Sequence, residues 1–135
     1  MQHTDRFSLE QHPGPYEKWP LRSRLLADGR PTETRVRGYV LLHQFQVDEG
    51  WLLVTDHGCP FEEATVFTLL DRDLRVLSAR WLGAAYGTFL LTGLTWTDPR
   101  ILVARFGDDY AVRVTLRPWG IPFLRPRLAM KRVAG

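Results

Sequence analysis

The chain is poor in the residues that usually announce a chemistry. Cysteine occurs once, at Cys59, so no intramolecular disulfide can form, which excludes the small secreted scaffolds held together by disulfides. A reducing, cytoplasmic compartment is the expectation. Long apolar runs are missing as well. Nowhere do about 18 apolar residues follow one another, the length a membrane helix needs, and the opening MQHTDRFSLEQ has no apolar stretch of the kind an export signal carries. No membrane partner is expected. Lysine is nearly absent, with only Lys18 and Lys131 among 18 basic residues. The planar guanidinium fork suits two-point recognition of anions, but the codon usage of a GC-rich, bacterial genome yields the same bias and is the plainer reading.

Signature motifs are lacking too. There is no glycine-rich phosphate loop, no Gly-x-Ser-x-Gly elbow and no His-Glu-x-x-His pair, so the P-loop nucleotide hydrolases, α/β-hydrolases and zinc proteases find no support. No cofactor and no metal are expected.

What is present is the make-up of one folded domain over residues 1–135. With 44% apolar, 24% charged and 12% aromatic residues, the chain lies far from the polar, charge-rich signature of disorder. A chain of this size buries roughly two thirds of its unfolded surface without a disulfide or a metal.

The organising stretch runs from Thr65 to Leu116. The segments VFTLL, LRVLSARWL, FLLTGLTW, ILVARF and YAVRVTL alternate with the joints Asp71-Arg72-Asp73, Thr97-Asp98-Pro99-Arg100 and Gly107-Asp108-Asp109. Short apolar segments between turn residues read as an antiparallel meander. Asp109 to Arg117 alternates cleanly and should have one wet face. Phe89 to Trp96 is apolar on both parities and is expected to be covered on both sides, with Gly83, Gly87 and Gly93 marking bulges or bends.

The flanks are read in the same way. Residues 1–20 hold Pro13, Gly14, Pro15 and Pro20 and suit an irregular arm, whose Phe7, Leu9, Tyr16 and Trp19 should pack across an open end or edge of the sheet. Leu21 to Ala27 fits either a two-turn helix or a strand entering Asp28-Gly29, a strong hairpin signal; the hairpin is taken. Thr34 to Val47 reads as one run, Trp51 to His57 as the next strand, and HGCPFEEA as a single helical turn with Pro60 at its first position. Leu128 and Met130 share one parity while Arg125, Arg127 and Lys131 share the other, which gives a final strand with a basic outer face.

The sum is an all-β chain of about eight or nine sequential strands, an up-and-down barrel or a strongly curled meander sheet. The layout resembles that of lipocalin-like barrels, although Arg37-Gly38-Tyr39 is no counterpart of their Gly-x-Trp signature, and no family is claimed.

Chemistry has three candidate homes. Asp56, His57, Cys59, Glu62 and Glu63 share a loop, where a helical turn after Cys59 would favour its thiolate and His57 would serve as base. Catalytic Cys/His pairs generally come from distant positions, however, and nearby acids raise a thiol's pKa. Capping is the plainer role. The interior of a barrel of about eight strands is wide enough for one small apolar ligand, which Trp51, Trp81, Tyr86 and Trp96 would line; a filled core is the ordinary alternative. Finally, Arg117, Arg125, Arg127 and Lys131 stand among Trp119 and Phe123. That mixture suits a single-strand nucleic-acid groove, but a charge-protected edge gives the same pattern, and nucleic acid is not expected.

Charge is laid out unevenly. Within the net of +3, residues 48–73 carry −6 and residues 116–135 carry +5, a bipolar layout that can steer a charged partner. The expectation is therefore a non-enzymatic module that contacts another protein through a charged face. A small-molecule binding barrel is the alternative, and a cysteine-dependent enzyme built on residues 56–63 the second. His3, His12 and His43 show no pairing in the sequence.

Overall fold

Leu52, Leu53, Val54 and Thr55 follow one another along the chain and all four are buried, as is every residue from Thr65 to Leu70. Successive side chains of a strand point to opposite faces, so such runs require a sheet covered on both sides. The computed structural model describes residues 1–15, 18–56, 62–85, 91–107, 110–121 and 125–133. Among these the strands are β1 (Gln2–His3), β2 (Phe7–Leu9), β3 (Arg22–Ala27), β4 (Arg30–Arg37), β5 (Val40–Gln46), β6 (Gly50–Asp56), β7 (Glu62–Asp71), β8 (Val76–Ala85), β9 (Leu91–Asp98), β10 (Ile101–Phe106), β11 (Tyr110–Leu116) and β12 (Leu128–Val133).

They form three antiparallel sheets. The five-stranded sheet, ordered β1-β5-β6-β7-β8, lies between a four-stranded sheet, β12-β11-β10-β9, and a three-stranded one, β2-β3-β4. Phe45, Leu52, Val54, Phe67 and Leu69 of the middle sheet pack on Leu102, Ala104, Val112, Val114, Leu116 and Leu128 of the four-stranded sheet. The opposite face sends Leu53 and Leu70 against Phe7, Leu9, Leu25, Ala27 and Val36. Fully burying a side chain of this kind contributes about 1.5–3 kcal/mol, so both faces of β6 and β7 hold the molecule together.

The all-β expectation stands, and the ladders β7–β8, β9–β10 and β10–β11 pair strands that follow one another in the chain, while Asp108 and Asp109 of the third joint lie outside the described residues. Closure does not occur among the described residues. Twelve strands replace the eight or nine expected, and β8 and β9, neighbours in the chain, belong to different sheets. Where the edges β8 and β12 meet, side chains rather than a ladder join them. Arg80 Nη1 donates to the Leu128 carbonyl at 3.2 Å and the Leu128 amide to Ser78 Oγ at 3.4 Å. Among the described residues there is thus no closed barrel.

The break in the run from Thr34 to Val47 has a local cause. Gly38, at φ +112°, carries the chain from the three-stranded sheet into the middle one, and a Cβ there would lie 2.5 Å from Thr55 Oγ1. The crossing is tied down by Thr55 Oγ1 donating to the Arg37 carbonyl at 2.6 Å, Ser23 Oγ to the Gly38 carbonyl at 2.7 Å and the Tyr39 amide to Asp56 O at 2.7 Å. The buried hydroxyls of Ser23 and Thr55 are thus paired, as burial demands.

Three further differences follow from register and burial. In β9 a bulge, not two-sided cover, reconciles the apolar parities: Leu91 faces Phe106, Gly93 faces Arg105, Leu94 faces Ala104 and Trp96 faces Leu102. The extra residue, Thr92, lets Leu91, Leu94 and Trp96 all reach one core, while its hydroxyl donates to the Arg105 carbonyl at 3.1 Å. The N-terminal arm is less irregular than expected. It supplies β1, which covers part of the β5 edge, and β2, which puts Phe7 and Leu9 in the second core. Finally, β7 already begins at Glu62, so Glu62 and Glu63 are strand rather than the end of a helical turn; His57 to Phe61 lie outside the described residues. The Asp28-Gly29 hairpin forms as read, with φ of 52° and 80°, the left-handed pair that a type I′ turn requires.

Candidate functional site

The outer face of the four-stranded sheet is built by the odd residues of β10 and β11. Core packing takes Leu102, Ala104, Phe106, Val112, Val114 and Leu116 inward, so the alternate set, Ile101, Val103, Arg105, Ala111, Arg113 and Thr115, lies on the opposite face, where the small Ala111 is buried among its neighbours. Register then fixes the rows. Thr95, Val103, Arg113 and Lys131 form one, Gly93, Arg105, Ala111 and Val133 the next, and Asp98, Ile101, Thr115 and Ala129 a third. Arg113 and Lys131 are directly opposed and both exposed.

Among the described residues no ion pair reaches Arg105, Arg113 or Lys131. The single acid in the three rows is Asp98, at the β9 end. Its carboxylate accepts the Arg100 amide at 2.9 Å within its own turn, and three strand spacings, about 14 Å in all, separate it from β12. Between β11 and β12 the face is hollowed. Thr115 and the small Ala129 sit opposite one another, and with Arg113, Arg117, Met130 and Lys131 they line a depression of about 350 Å³.

The other cations expected on this face have structural tasks. Arg117 Nη1 donates to Pro126 O at 3.2 Å. Arg125 donates to Trp119 O at 2.6 Å and lies 3.7 Å over the indole ring. Arg127 donates to Arg117 O at 3.2 Å and Pro118 O at 3.0 Å. These three brace the segment between β11 and β12, and of the four named in the sequence Lys131 has no hydrogen bond or ion pair among the described residues. Arg105 and Arg113 were missed as partner residues. Their alternation within β10 and β11 is legible, but only register brings Arg113 opposite Lys131.

Asp48, Glu49 and Asp71 of the acidic stretch are engaged. Asp48 and Glu49 both meet Arg100 Nη2, at 3.6 and 2.7 Å, and Asp71 Oδ1 accepts the amides of Asp73 and Arg75 inside its turn. The side chains of Glu62 and Glu63 are not described.

The tryptophans do not converge. Trp96 lies in the first core, edge-on to Phe45 at 5.2 Å. Trp51 packs on the second, edge-on to Phe7 at 5.3 Å with the Arg6 guanidinium 4.8 Å over its ring. Trp81 stands 56% exposed on β8, and Tyr86 is outside the described residues, as are His57 and Cys59. A shared ligand cavity lined by these aromatics is not what the described residues form.

An opening exists elsewhere. Phe7, Ser8, Leu9 and Gln11 of the arm, with Trp19, Tyr39, Val40, Leu41 and Gln44, line a cleft of about 500 Å³ along β5. The Gln44 side-chain amide plugs its floor like a stand-in strand, donating to Phe7 O at 3.0 Å and accepting the Phe7 amide at 2.8 Å. His12, Trp19 and Tyr39 cluster at its rim, with centroids 5.0–5.4 Å apart. His12 Nε2 is 2.8 Å from Ser23 Oγ. Because that hydroxyl gives its one proton to Gly38 O and is fully buried, it accepts from the imidazole and is no activated nucleophile.

The remaining histidines are also placed by the fold. His3 and His43 flank Phe45, at 4.7 and 6.1 Å. Burial, and secondarily the charge of His3, lowers the pKa of His43 below its ordinary 6.5. Among the described residues no three His, Cys, Asp or Glu side chains converge as metal ligands would, and no helix is long and apolar enough to cross a membrane. No protein family, no curated protein and no solved structure matches the chain.

Proposed function

We propose that this protein is a non-enzymatic binding module that contacts an acidic protein partner through the outer face of its four-stranded sheet. The observation that carries the reading is the rung formed by Arg113 and Lys131. Like charges directly across a strand pair destabilise the sheet that holds them, and an acidic partner turns that repulsion into attraction and speeds encounter. Ile101, Val103 and Ala129 between the cations offer the apolar contact that a protein surface needs. The rows hold no aromatic ring on which a nucleic-acid base could stack.

The test is binding of an acidic peptide and of a single-stranded oligonucleotide of equal charge, followed against salt. Salt-sensitive binding of the peptide, abolished by Arg113→Glu with Lys131→Glu, is the expected result. Equal binding of both polyanions, or peptide binding that survives the double reversal, refutes it.

A small-ligand role has one observation of its own, the cleft along β5, whose volume falls within the range of roughly 300–1,000 Å³ usual for ligand sites. It would take an apolar molecule against Leu9, Leu41 and Trp19. Titration with an apolar fluorescent probe, with Trp19→Ala as comparison, decides this: a signal unchanged by the substitution removes the cleft from consideration.

A further inference from the structure

We infer that the hollow between β11 and β12 receives a phosphorylated side chain of the partner, so that the acidic protein bound on this face is a phosphoprotein. The inference rests on the binding role proposed above and names the group recognised.

Its basis is the composition and shape of the hollow. The floor is Thr115 facing Ala129, where a small side chain opposite a hydroxyl leaves a space of about 350 Å³. Arg113 and Lys131 stand side by side at one end and Arg117 at the other, the latter anchored by its bond to Pro126 O. Three cations and one hydroxyl therefore border the space, and no acid does. The Thr115 hydroxyl has no protein partner among the described residues.

A carboxylate brings one charge and two oxygens, and would leave most of this positive charge unbalanced. A phosphate monoester brings between about −1.5 and −2 charges at neutral pH and three acceptor oxygens, which matches the donors available: the Arg113 fork, the Lys131 ammonium, the free N–H groups of Arg117 and the Thr115 hydroxyl. Charge-assisted bonds of this type are about twice as strong as neutral ones. The absence of aromatic side chains from the lining favours a phosphorylated side chain over the phosphate of a nucleotide, whose base would find no ring.

The experiment compares three versions of one acidic peptide, carrying phosphoserine, glutamate or serine at its centre, by titration calorimetry on the full chain, with inorganic phosphate as competitor. The phosphopeptide should bind about tenfold more tightly than the glutamate version, given the stronger charge-assisted bonding. Its affinity should fall as pH drops below about 6, where the second phosphate proton returns. Arg113→Gln and Lys131→Gln, both at exposed positions that leave the core untouched, should each remove the preference. Thr115→Val should weaken the phosphopeptide about fivefold, the loss expected of one hydrogen bond. Arg132→Gln, outside the hollow, should change nothing.

Equal affinity for the phosphoserine and glutamate peptides, with no competition by phosphate, overturns the inference and leaves the acidic-partner role intact. Failure of all three peptides overturns both. Tighter binding of a single-stranded oligonucleotide than of the phosphopeptide overturns both in favour of nucleic acid.

Discussion

Gly38 shows how much depends on one missing side chain. At φ +112° the backbone occupies a region that residues with a Cβ rarely adopt, and the atoms a Cβ would strike are Thr55 Oγ1 and Cβ at 2.5 and 2.7 Å. Thr55 cannot swing aside without breaking its bond to the Arg37 carbonyl. Gly38→Ala should therefore lower stability by about 2–4 kcal/mol in a denaturant titration, within the range of backbone strain combined with overpacking. Gly93→Ala, where nothing lies within 4 Å of the added atom, should be close to neutral. At Cys59 the non-enzymatic reading makes a chemical prediction. Alkylation should proceed no faster than that of a free thiol at the same pH, whereas a fast, pH-shifted reaction would return cysteine chemistry to the front.

At the scale of elements, two turns from different sheets are fastened by Arg100. Its Nη2 meets Glu49 at 2.7 Å and Asp48 at 3.6 Å, and its Nη1 reaches Leu116 O at 2.9 Å. The Glu49 side chain is only 9% exposed, so removing its partner leaves a buried carboxylate uncompensated. Arg100→Ala should cost about 2–3 kcal/mol, less than a fully buried pair because the arginine itself is partly solvated. Arg100→Ala combined with Glu49→Leu should recover much of it. The β1–β5 edge carries a pH dependence of known sign. The lowered pKa of His43, caused by burial and then by His3, means that the folded state prefers the neutral ring. Its contribution is fully present above the unfolded value near 6.5 and declines as pH falls through the window beneath it. Protection of the Phe45 and Gln46 amides, taken relative to their intrinsic exchange rates at each pH, should be lower at pH 5 than at pH 7.5. His43→Asn should flatten the difference; an unchanged profile would show that His43 is not the sensor.

For the whole molecule, the basic C-terminal region divides into cations that brace and cations that face outward. Arg125→Glu with Arg127→Glu removes the bonds to Trp119, Pro118 and Arg117 carbonyls. It should lower stability by about 1–3 kcal/mol, the sum of a few exposed charge-assisted bonds, and leave acidic-peptide binding in place. Arg113→Glu with Lys131→Glu should do the reverse: binding disappears while stability holds, because one like-charged rung replaces another and no hydrogen bond is lost. If both pairs affect binding alike, the division fails.

The all-β class, the Asp28-Gly29 hairpin and the joints at Asp71, Asp98 and Gly107 were legible because each rests on local chemistry: alternation, β-branched content and turn residues act over a few neighbours. The final basic strand was legible for the same reason. What remained hidden required a partner distant in the chain. Nothing near Gly38 says that Thr55 will press against it, so the run from Thr34 to Val47 reads as one strand when it serves two sheets. Mixed parity in β9 reads as two-sided burial until the register with β10 reveals the bulge at Thr92. The candidate site divides along the same line. The sequence by itself determined that the end of the chain would be basic; only the tertiary structure decided which cations are free, because a guanidinium's task depends on which carbonyl or open face the fold sets beside it. It turned Arg125 and Arg127 onto loop carbonyls and set Arg113 against Lys131 across a ladder that no local pattern encodes.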